Sequence, residues 1–63
     1  MPSDVRFSEI RKLVEKHGWR LVRINGSHHI FQLPDGQIFV VPVHKNKVKH
    51  VYLREIEKLL KED

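Results

Sequence analysis

The chain has 63 residues, no cysteine, and 12 lysines and arginines against 8 acids, which gives a formal net charge of +4. This length supports one small domain, residues 1–63, that no disulfide can stabilise. No apolar run approaches the roughly 20 residues that cross a bilayer, and the N-terminus lacks a secretory apolar segment, so we expect a cytoplasmic protein without a membrane partner. The basic balance on so small a body favours a polyanionic partner.

The first predicted element is a helix from about residue 4 to residue 17. Its apolar residues recur at helical spacing, as Phe7, Ile10, Leu13 and Val14. Ser3 suits the position that caps the first turn, and Asp4 suits the positive end of the helix dipole. Gly18 suits the left-handed position that ends many helices. Charged residues fill the remaining positions, so the pattern predicts a helix with one buried side.

Three strands joined by short turns follow this helix. β-Branched and aromatic residues predict them at residues 19–24, 28–33 and 37–41. The turn Asn25-Gly26-Ser27 begins with two residues that tolerate positive φ. The turn Pro34-Asp35-Gly36 combines a fixed φ with a glycine. Pro42 is expected to end the pairing of the third strand, so the three strands form an antiparallel meander.

A loop over residues 43–50 and a second helix over residues 51–61 complete the predicted elements. The helix is indicated by apolar residues that recur with a period near 3.6. The order α-β-β-β-α predicts an α+β fold in which both helices pack on one face of a three-stranded antiparallel meander.

The other face of this meander, the open face, carries apolar residues in the predicted arrangement. If Phe39 and Val41 face the helices, then Ile38 and Val40 point outward, and we expect Phe31 on the open face as well. Such residues are either isolated exposed side chains, as on many surfaces, or a surface for a protein partner or a second copy of the chain.

Two segments contain the residues best suited to chemistry. In the turn Gly26-Ser27-His28, a short connection holds an imidazole at the start of a strand. Residues 45–49 contain three lysines and no acid. In an α-β-β-β-α domain the two segments can lie on one edge, as in a double-stranded-RNA-binding domain, whose hairpin loop and lysine-rich helix start contact A-form RNA. No aromatic ladder for stacked bases is present, so recognition of backbone and shape is favoured.

At these residues the sequence resembles the HicA (YcfA-like) toxin family, over nearly the whole of residues 7–60. The shared segments are Gly18-Trp19, Gly26-Ser27-His28-His29-Ile30-Phe31, Pro34-Asp35-Gly36, Val41-Pro42-Val43-His44 and Ile56-Glu57-Lys58-Leu59-Leu60. The resemblance implies a fold of double-stranded-RNA-binding type, a metal-independent mRNA interferase activity without a cofactor, and neutralisation by a HicB antitoxin. The family's catalytic histidine follows Gly-Ser and corresponds to His28. The chain departs from the family at Val51-Tyr52-Leu53, where the second helix usually starts with Gly-Thr-Leu.

Cleavage of RNA by its own 2′-hydroxyl needs one group to remove that proton, one to protonate the leaving 5′-oxygen, and cations near the phosphorus. Histidine can take either proton role near neutral pH, so we expect His28 to be the general acid or base. The residues expected to bind RNA carry hydrogen-bond donors or positive charge: Arg23, Gly26, Ser27, His29, His44, Lys45, Lys47 and Lys49. Of these, His29 or His44 could assist in proton transfer.

Three other functions fit parts of the pattern. A non-catalytic RNA-binding module would use the same edge and bind RNA in a salt-dependent way without cleaving it. A metal protein would draw nitrogen ligands from four histidines, although their spacing matches no standard zinc motif and cysteine is missing; these are His28, His29, His44 and His50. A structural or regulatory partner protein would act through the open face alone.

Overall fold

The structure is a computed structural model that describes residues 4–61. This part of the chain contains two helices, α1 (Phe7–Lys16) and α2 (His50–Lys61), and the strands β1 (Asp4–Arg6), β2 (Arg20–Asn25), β3 (His28–Gln32), β4 (Ile38–Pro42) and β5 (Lys47–Lys49). Strands β2, β3 and β4 form an antiparallel sheet in that order, while β1 and β5 pair with each other. The α+β class and the predicted α-β-β-β-α order are therefore confirmed, with two short strands added.

The added strands correct the predicted start of the first helix. Residues 4–6 were expected to be helical, but they form β1, and α1 begins at Phe7. The physical reason is a pairing that is distant in sequence: Val5 lies opposite Val48, and Val48 is only 1% exposed. Asp4 therefore lies in a strand and not at a helix start, and the predicted Ser3 cap lies outside the described residues.

The same pairing corrects the predicted loop over residues 43–50. Its second half is the strand β5, and α2 begins at His50, one residue earlier than expected. The chain reaches β5 through a tight turn in which His44 and Lys47 exchange backbone hydrogen bonds of 2.9 and 2.8 Å. The lysines of this segment are thus held on a hairpin and not on a long loop.

The C-terminal end of α1 matches the prediction made from Gly18. Gly18 has a φ of 88°, and its N–H donates to the Glu15 carbonyl at 3.1 Å. The Trp19 N–H donates to the Val14 carbonyl at 3.0 Å. This pair of bonds is the Schellman arrangement, which satisfies carbonyls that the helix end leaves free. It also turns the chain so that Trp19 enters the core.

One hydrophobic cluster joins both helices to the sheet. Its members come from α1, α2, β3, β4, β5 and the connecting segments, and they are Ile10, Val14, Trp19, Phe31, Val41, Val43, Val48 and Ile56. Because helical residues pack in the same cluster as Phe31 and Val41, both helices cover one face of the sheet, as predicted. Neither helix in the described range has the length and apolarity needed to span a membrane.

The open face of the sheet carries exposed apolar side chains. Phe39 and Val41 pack with the core as predicted, whereas Ile38 is 56% exposed and Val40 is 42% exposed. These two residues lie on β4, and side chains alternate between the two faces along a strand. The open face is therefore more apolar than solvation alone favours.

One detail of the predicted sheet is wrong, and another differs by one residue. Phe31, expected on the open face, is 0% exposed, and its register partner is Phe39 on the core side. Ile30 takes the open-face position instead, because neighbouring residues of a strand point to opposite faces. Pro42 ends the pairing of β4 as predicted, but it is itself the last paired residue, opposite His28, one residue beyond the predicted end of the strand. An edge strand tolerates a proline because its outer side needs no donor.

Candidate functional site

The turn between β2 and β3 is a two-residue connection made by Gly26 and Ser27. Asn25 lies opposite His28 in the register, and Gly26 has a φ of 62°. A glycine with positive φ at the first central position is typical of the type II′ hairpin turn, whose twist matches that of the flanking strands. The Val43 N–H donates to the Ser27 carbonyl at 2.7 Å. This bond fastens the turn to the segment that follows β4.

His28 is the first residue of β3 and is exposed. In the register it lies between Asn25 on β2 and Pro42 on β4. The alternation of side chains along β3 puts His28 and Ile30 on the open face, opposite to the buried Phe31. Its imidazole is therefore open to a ligand that approaches the sheet from the side without helices.

Arg23 shares the open face with His28. It is exposed and lies opposite Ile30, two residues along β2 from the partner of His28. Diagonal neighbours of this kind are separated by about 7–8 Å. One phosphate between them can therefore contact both the Arg23 guanidinium and the His28 imidazole. Among the residues predicted to bind RNA, Arg23 is the cation that the sheet register brings to the face of His28.

His29 points to the other side of the strand. It is half-buried, and its ring lies 4.5 Å from the Phe7 ring, centroid to centroid, at an interplanar angle of 58°. Its Nδ1 lies 3.3 Å from the Ser27 carbonyl oxygen. Because a carbonyl only accepts, this contact is a hydrogen bond when Nδ1 carries the proton. His29 therefore contacts the turn from the side of the sheet that the helices cover, and its contact with RNA stays a prediction.

Residues 44–49, called the basic hairpin below, are built on a second two-residue turn. Lys45 and Asn46 have φ values of 52° and 65°, which is the sign pattern of a type I′ turn. All three lysines of the segment are exposed, as is His44. The Asn46 carbonyl accepts the Phe7 N–H at 2.8 Å, so the hairpin is anchored to the first residue of α1.

The two predicted segments lie at the same end of the sheet. His28 is opposite Pro42, and Lys45 is three residues further along the chain. Adjacent strands and an extended chain of that length limit the Cα separation of His28 and Lys45 to about 16 Å. The imidazole and the lysine-bearing hairpin are thus close enough to contact one short stretch of a polyanion.

A cleft of about 470 Å³ opens beside the basic hairpin, at the start of α1. The residues that line it, called the basic cleft below, are Arg6, Phe7, Ser8, Lys45, Asn46 and Lys47. Sequence reasoning assigned the two lysines but not Arg6. Arg6 joins them only because β1 pairs with β5, and no local sequence signal marks that pairing.

A carboxyl with a lowered pKa lies in the turn between β3 and β4, at the other end of the sheet. Gln37 donates its backbone N–H to Asp35 at 3.0 Å and its side-chain amide at 2.6 Å. The backbone bond, followed by the side-chain bond, lowers the pKa of the Asp35 carboxyl. Asp35 belongs to the turn between β3 and β4, so this shift reports turn stability and not catalysis. In the described part of the chain, no group of three or more histidines and acids is arranged to hold a metal ion.

Comparison with known proteins adds a family to this geometry. The sequence model of the family described as HicA toxin of bacterial toxin-antitoxin systems matches residues 7–62. The chain belongs to the HicA toxin family. No curated protein and no solved structure is significantly similar to it.

Membership gives this HicA chain a biological setting, that of the toxin component of a toxin-antitoxin system, with an antitoxin as its partner. The match extends from the start of α1 through α2 and therefore includes the turn with His28, the basic hairpin and the open face. Of the residues described above as lining the candidate site, only Arg6 of the basic cleft lies outside the matched range.

Proposed function

We propose that this HicA chain is a metal-independent endoribonuclease that cleaves mRNA in the cytoplasm, with His28 as general acid or base. The observation that supports it best is an exposed imidazole beside a two-residue type II′ turn, within about 16 Å of a lysine-bearing hairpin. Histidine moves protons near neutral pH, and the cations supply the charge that a phosphodiester needs.

In the proposed reaction the RNA supplies its own nucleophile. A base removes the proton of the 2′-hydroxyl, the 2′-oxygen attacks phosphorus, and the bond between phosphorus and the 5′-oxygen breaks as an acid protonates that oxygen. The products are a 2′,3′-cyclic phosphate and a 5′-hydroxyl. His28 fills one of the two proton roles, and His44, exposed on the segment that Val43 fastens to the turn, is the candidate for the other.

In this proposal the remaining predicted residues bind the RNA backbone. Arg23 on the open face and the backbone N–H groups of Gly26 and Ser27 contact the reacting phosphate, where negative charge gathers in the transition state. The three lysines of the basic hairpin contact flanking phosphates, and they are Lys45, Lys47 and Lys49. His29 keeps the turn in place through the Ser27 carbonyl.

The direct test is cleavage of a defined RNA by the purified protein in the presence of a chelator. We expect wild-type cleavage, and a loss of about 10²–10⁴-fold in His28→Ala, the range that one acid or base typically contributes. His17→Ala is the matched control, because His17 is an exposed histidine at the C-terminal end of α1. It should cleave at the wild-type rate.

Two results would contradict the proposal. Undiminished cleavage by His28→Ala would remove His28 from the mechanism. Salt-dependent binding of RNA by the wild-type protein with no cleavage would favour the alternative, a non-catalytic RNA-binding module.

We also propose that the partner is a HicB-type antitoxin that covers the open face. The exposed Ile38 and Val40 lie on the same face as His28, so a partner that buries them would also block the imidazole. Ile38→Lys should weaken the complex at least tenfold in a titration by calorimetry. Val51→Lys, a similarly exposed apolar position on α2, should leave it unchanged, and equal loss in both variants would contradict an open-face interface.

A further inference from the structure

The basic cleft contains an arrangement of charge that the fold does not need. Arg6 on β1 and Lys47 on β5 are direct cross-strand partners. Directly opposed side chains have Cβ atoms about 4.5–5.5 Å apart, and like charges in that position destabilise a strand pair. The same three-residue pairing buries Val48 and puts Asp4 opposite Lys49, and these contacts have to offset the repulsion.

No acid in the described range relieves that repulsion by ion pairing. The one ion pair found within residues 4–61 joins Arg11 and Glu15 on α1, and none of the described residues that line the cleft is acidic. Lys45, from the adjacent turn, adds a third cation to the same lining. The positive charges therefore converge on a concave surface whose described lining holds no acid, and the nearest acid in the register is Asp4, opposite Lys49.

The floor of the cleft is fixed on two sides. The Phe7 backbone N–H is bound to the Asn46 carbonyl at 2.8 Å, and the Phe7 ring packs against the His29 ring. His29 in turn contacts the Ser27 carbonyl. A short series of direct contacts therefore connects the basic cleft to the turn beside His28, and the cleft volume lies within the range of small-ligand sites.

We propose that the basic cleft binds a backbone phosphodiester of the same RNA strand whose neighbouring linkage lies at His28. This inference rests on the proposed function and adds Arg6 to it. A phosphodiester carries one negative charge delocalised over two oxygens, which can accept hydrogen bonds from an opposed arginine and lysine together and reduces their mutual repulsion. The RNA strand then passes from the open face around the end of the sheet, over His44, to the side that carries the helices.

The test uses charge removal, because the proposal predicts opposite effects on binding and on stability. In Arg6→Gln/Lys47→Gln, we expect the affinity for a short single-stranded oligoribonucleotide to fall at least tenfold. The slope of log K against log salt should decrease in magnitude by about 0.7 for each lost phosphate contact. The urea midpoint should stay constant or rise, because the like-charge pair is gone. All binding is measured in the His28→Ala background, so that the oligonucleotide stays intact.

The matched control is Lys12→Gln/Lys58→Gln, which removes the same net charge from exposed positions on α1 and α2. It should bind the oligonucleotide within twofold of the His28→Ala parent. An equal loss in the two double variants would mean that net charge alone steers binding and would overturn the cleft. A lower urea midpoint in Arg6→Gln/Lys47→Gln would assign the pair a structural role and would overturn it as well.

Two further outcomes separate this inference from the proposed function. Binding that depends on Arg6 and Lys47, in a protein that never cleaves RNA, would support the cleft and reject the nuclease. Cleavage that depends on His28, with an unchanged KM when the two cations are removed, would support the nuclease and reject the cleft. Inorganic phosphate that binds as tightly as the oligonucleotide would identify a site for free anions and overturn the RNA assignment.

Discussion

His28 and His29 are adjacent residues of one strand, and the structure puts them in different environments. His28 is exposed on the open face beside Arg23, whereas His29 is half-buried against Phe7 on the side of the helices. The difference arises only from the alternation of side chains along β3. Two residues of the same type therefore differ in what they can contact: the imidazole of His28 is open to a ligand, and that of His29 packs against Phe7 and the turn.

The largest expected effect on the free energy of unfolding comes from truncating a side chain on the covered face of β4. Val41 is fully buried and lies opposite His29, so Val41→Ala should lower the free energy of unfolding by about 2 kcal/mol through lost burial and a cavity. Its neighbour Val40 is on the open face, and Val40→Ala should cost no more than about 0.5 kcal/mol. Urea unfolding of the two variants checks this, and equal losses would mean that the faces are wrongly assigned.

A smaller loss of stability is expected from removing the His29 ring. His29→Ala should cost about 1–2 kcal/mol, because it removes the aromatic contact with Phe7 and the contact with the Ser27 carbonyl. His29→Phe keeps the ring contact and should recover most of that loss. Thermal and urea unfolding of the pair measure the effect. A fully stable His29→Ala would show that the ring does not support the turn.

The turn that precedes the two histidines should tolerate substitution less well than its open surroundings suggest. A Cβ on Gly26 would meet no atom within 4 Å, yet its φ of 62° disfavours a side chain. Gly26→Ala should therefore cost about 1 kcal/mol from backbone strain alone. A change of turn type that shifts the register by one residue would exchange the faces of His28 and His29. Urea unfolding, together with backbone NOE contacts between Asn25 and His28, measures both consequences, and an unstrained Gly26→Ala would contradict the turn geometry.

The smallest effect on stability is expected at Asp35, at the opposite end of the sheet, and it depends on pH. The pKa of Asp35 is lowered from its usual 3.8 by the Gln37 bonds, so the ionised carboxylate contributes stability above that usual value. The contribution is lost as the pH falls through the lower folded pKa. Asp35→Asn should be slightly less stable than wild type at neutral pH and equal to it at pH values below both pKa values. A constant difference at every pH would contradict the assignment.

The elements of the meander and its turns were predictable from the sequence because they depend on local chemistry. Gly18, Gly26 and Gly36 each have positive φ and occupy the predicted turn or helix-end positions. The inward positions of Phe39 and Val41 followed from alternation along one strand. The orientation of Phe31 did not, because Ile30-Phe31 is a pair of apolar residues that fits either phase. Its pairing with Phe39 decides the orientation.

The part that could not be predicted depends on contacts between distant segments. Strands β1 and β5 contain one valine each between charged residues, a pattern too short to distinguish from a loop. Lys45 and Asn46 adopt positive φ without a glycine, so the usual signal of a type I′ turn is weak. The basic cleft with Arg6 and the support that His29 gives to the turn both follow from these contacts, and so they emerge only in three dimensions.

The most direct measurement of the central claim compares His28→Ala and His29→Phe in one RNA-cleavage assay with a chelator present. The account predicts a loss of at least about 100-fold for His28→Ala, and a rate within about tenfold of wild type for His29→Phe, whose ring still packs on Phe7. Cleavage that survives in His28→Ala but is abolished in a folded His29→Phe would contradict the account, since catalysis would then reside on the covered side of the strand.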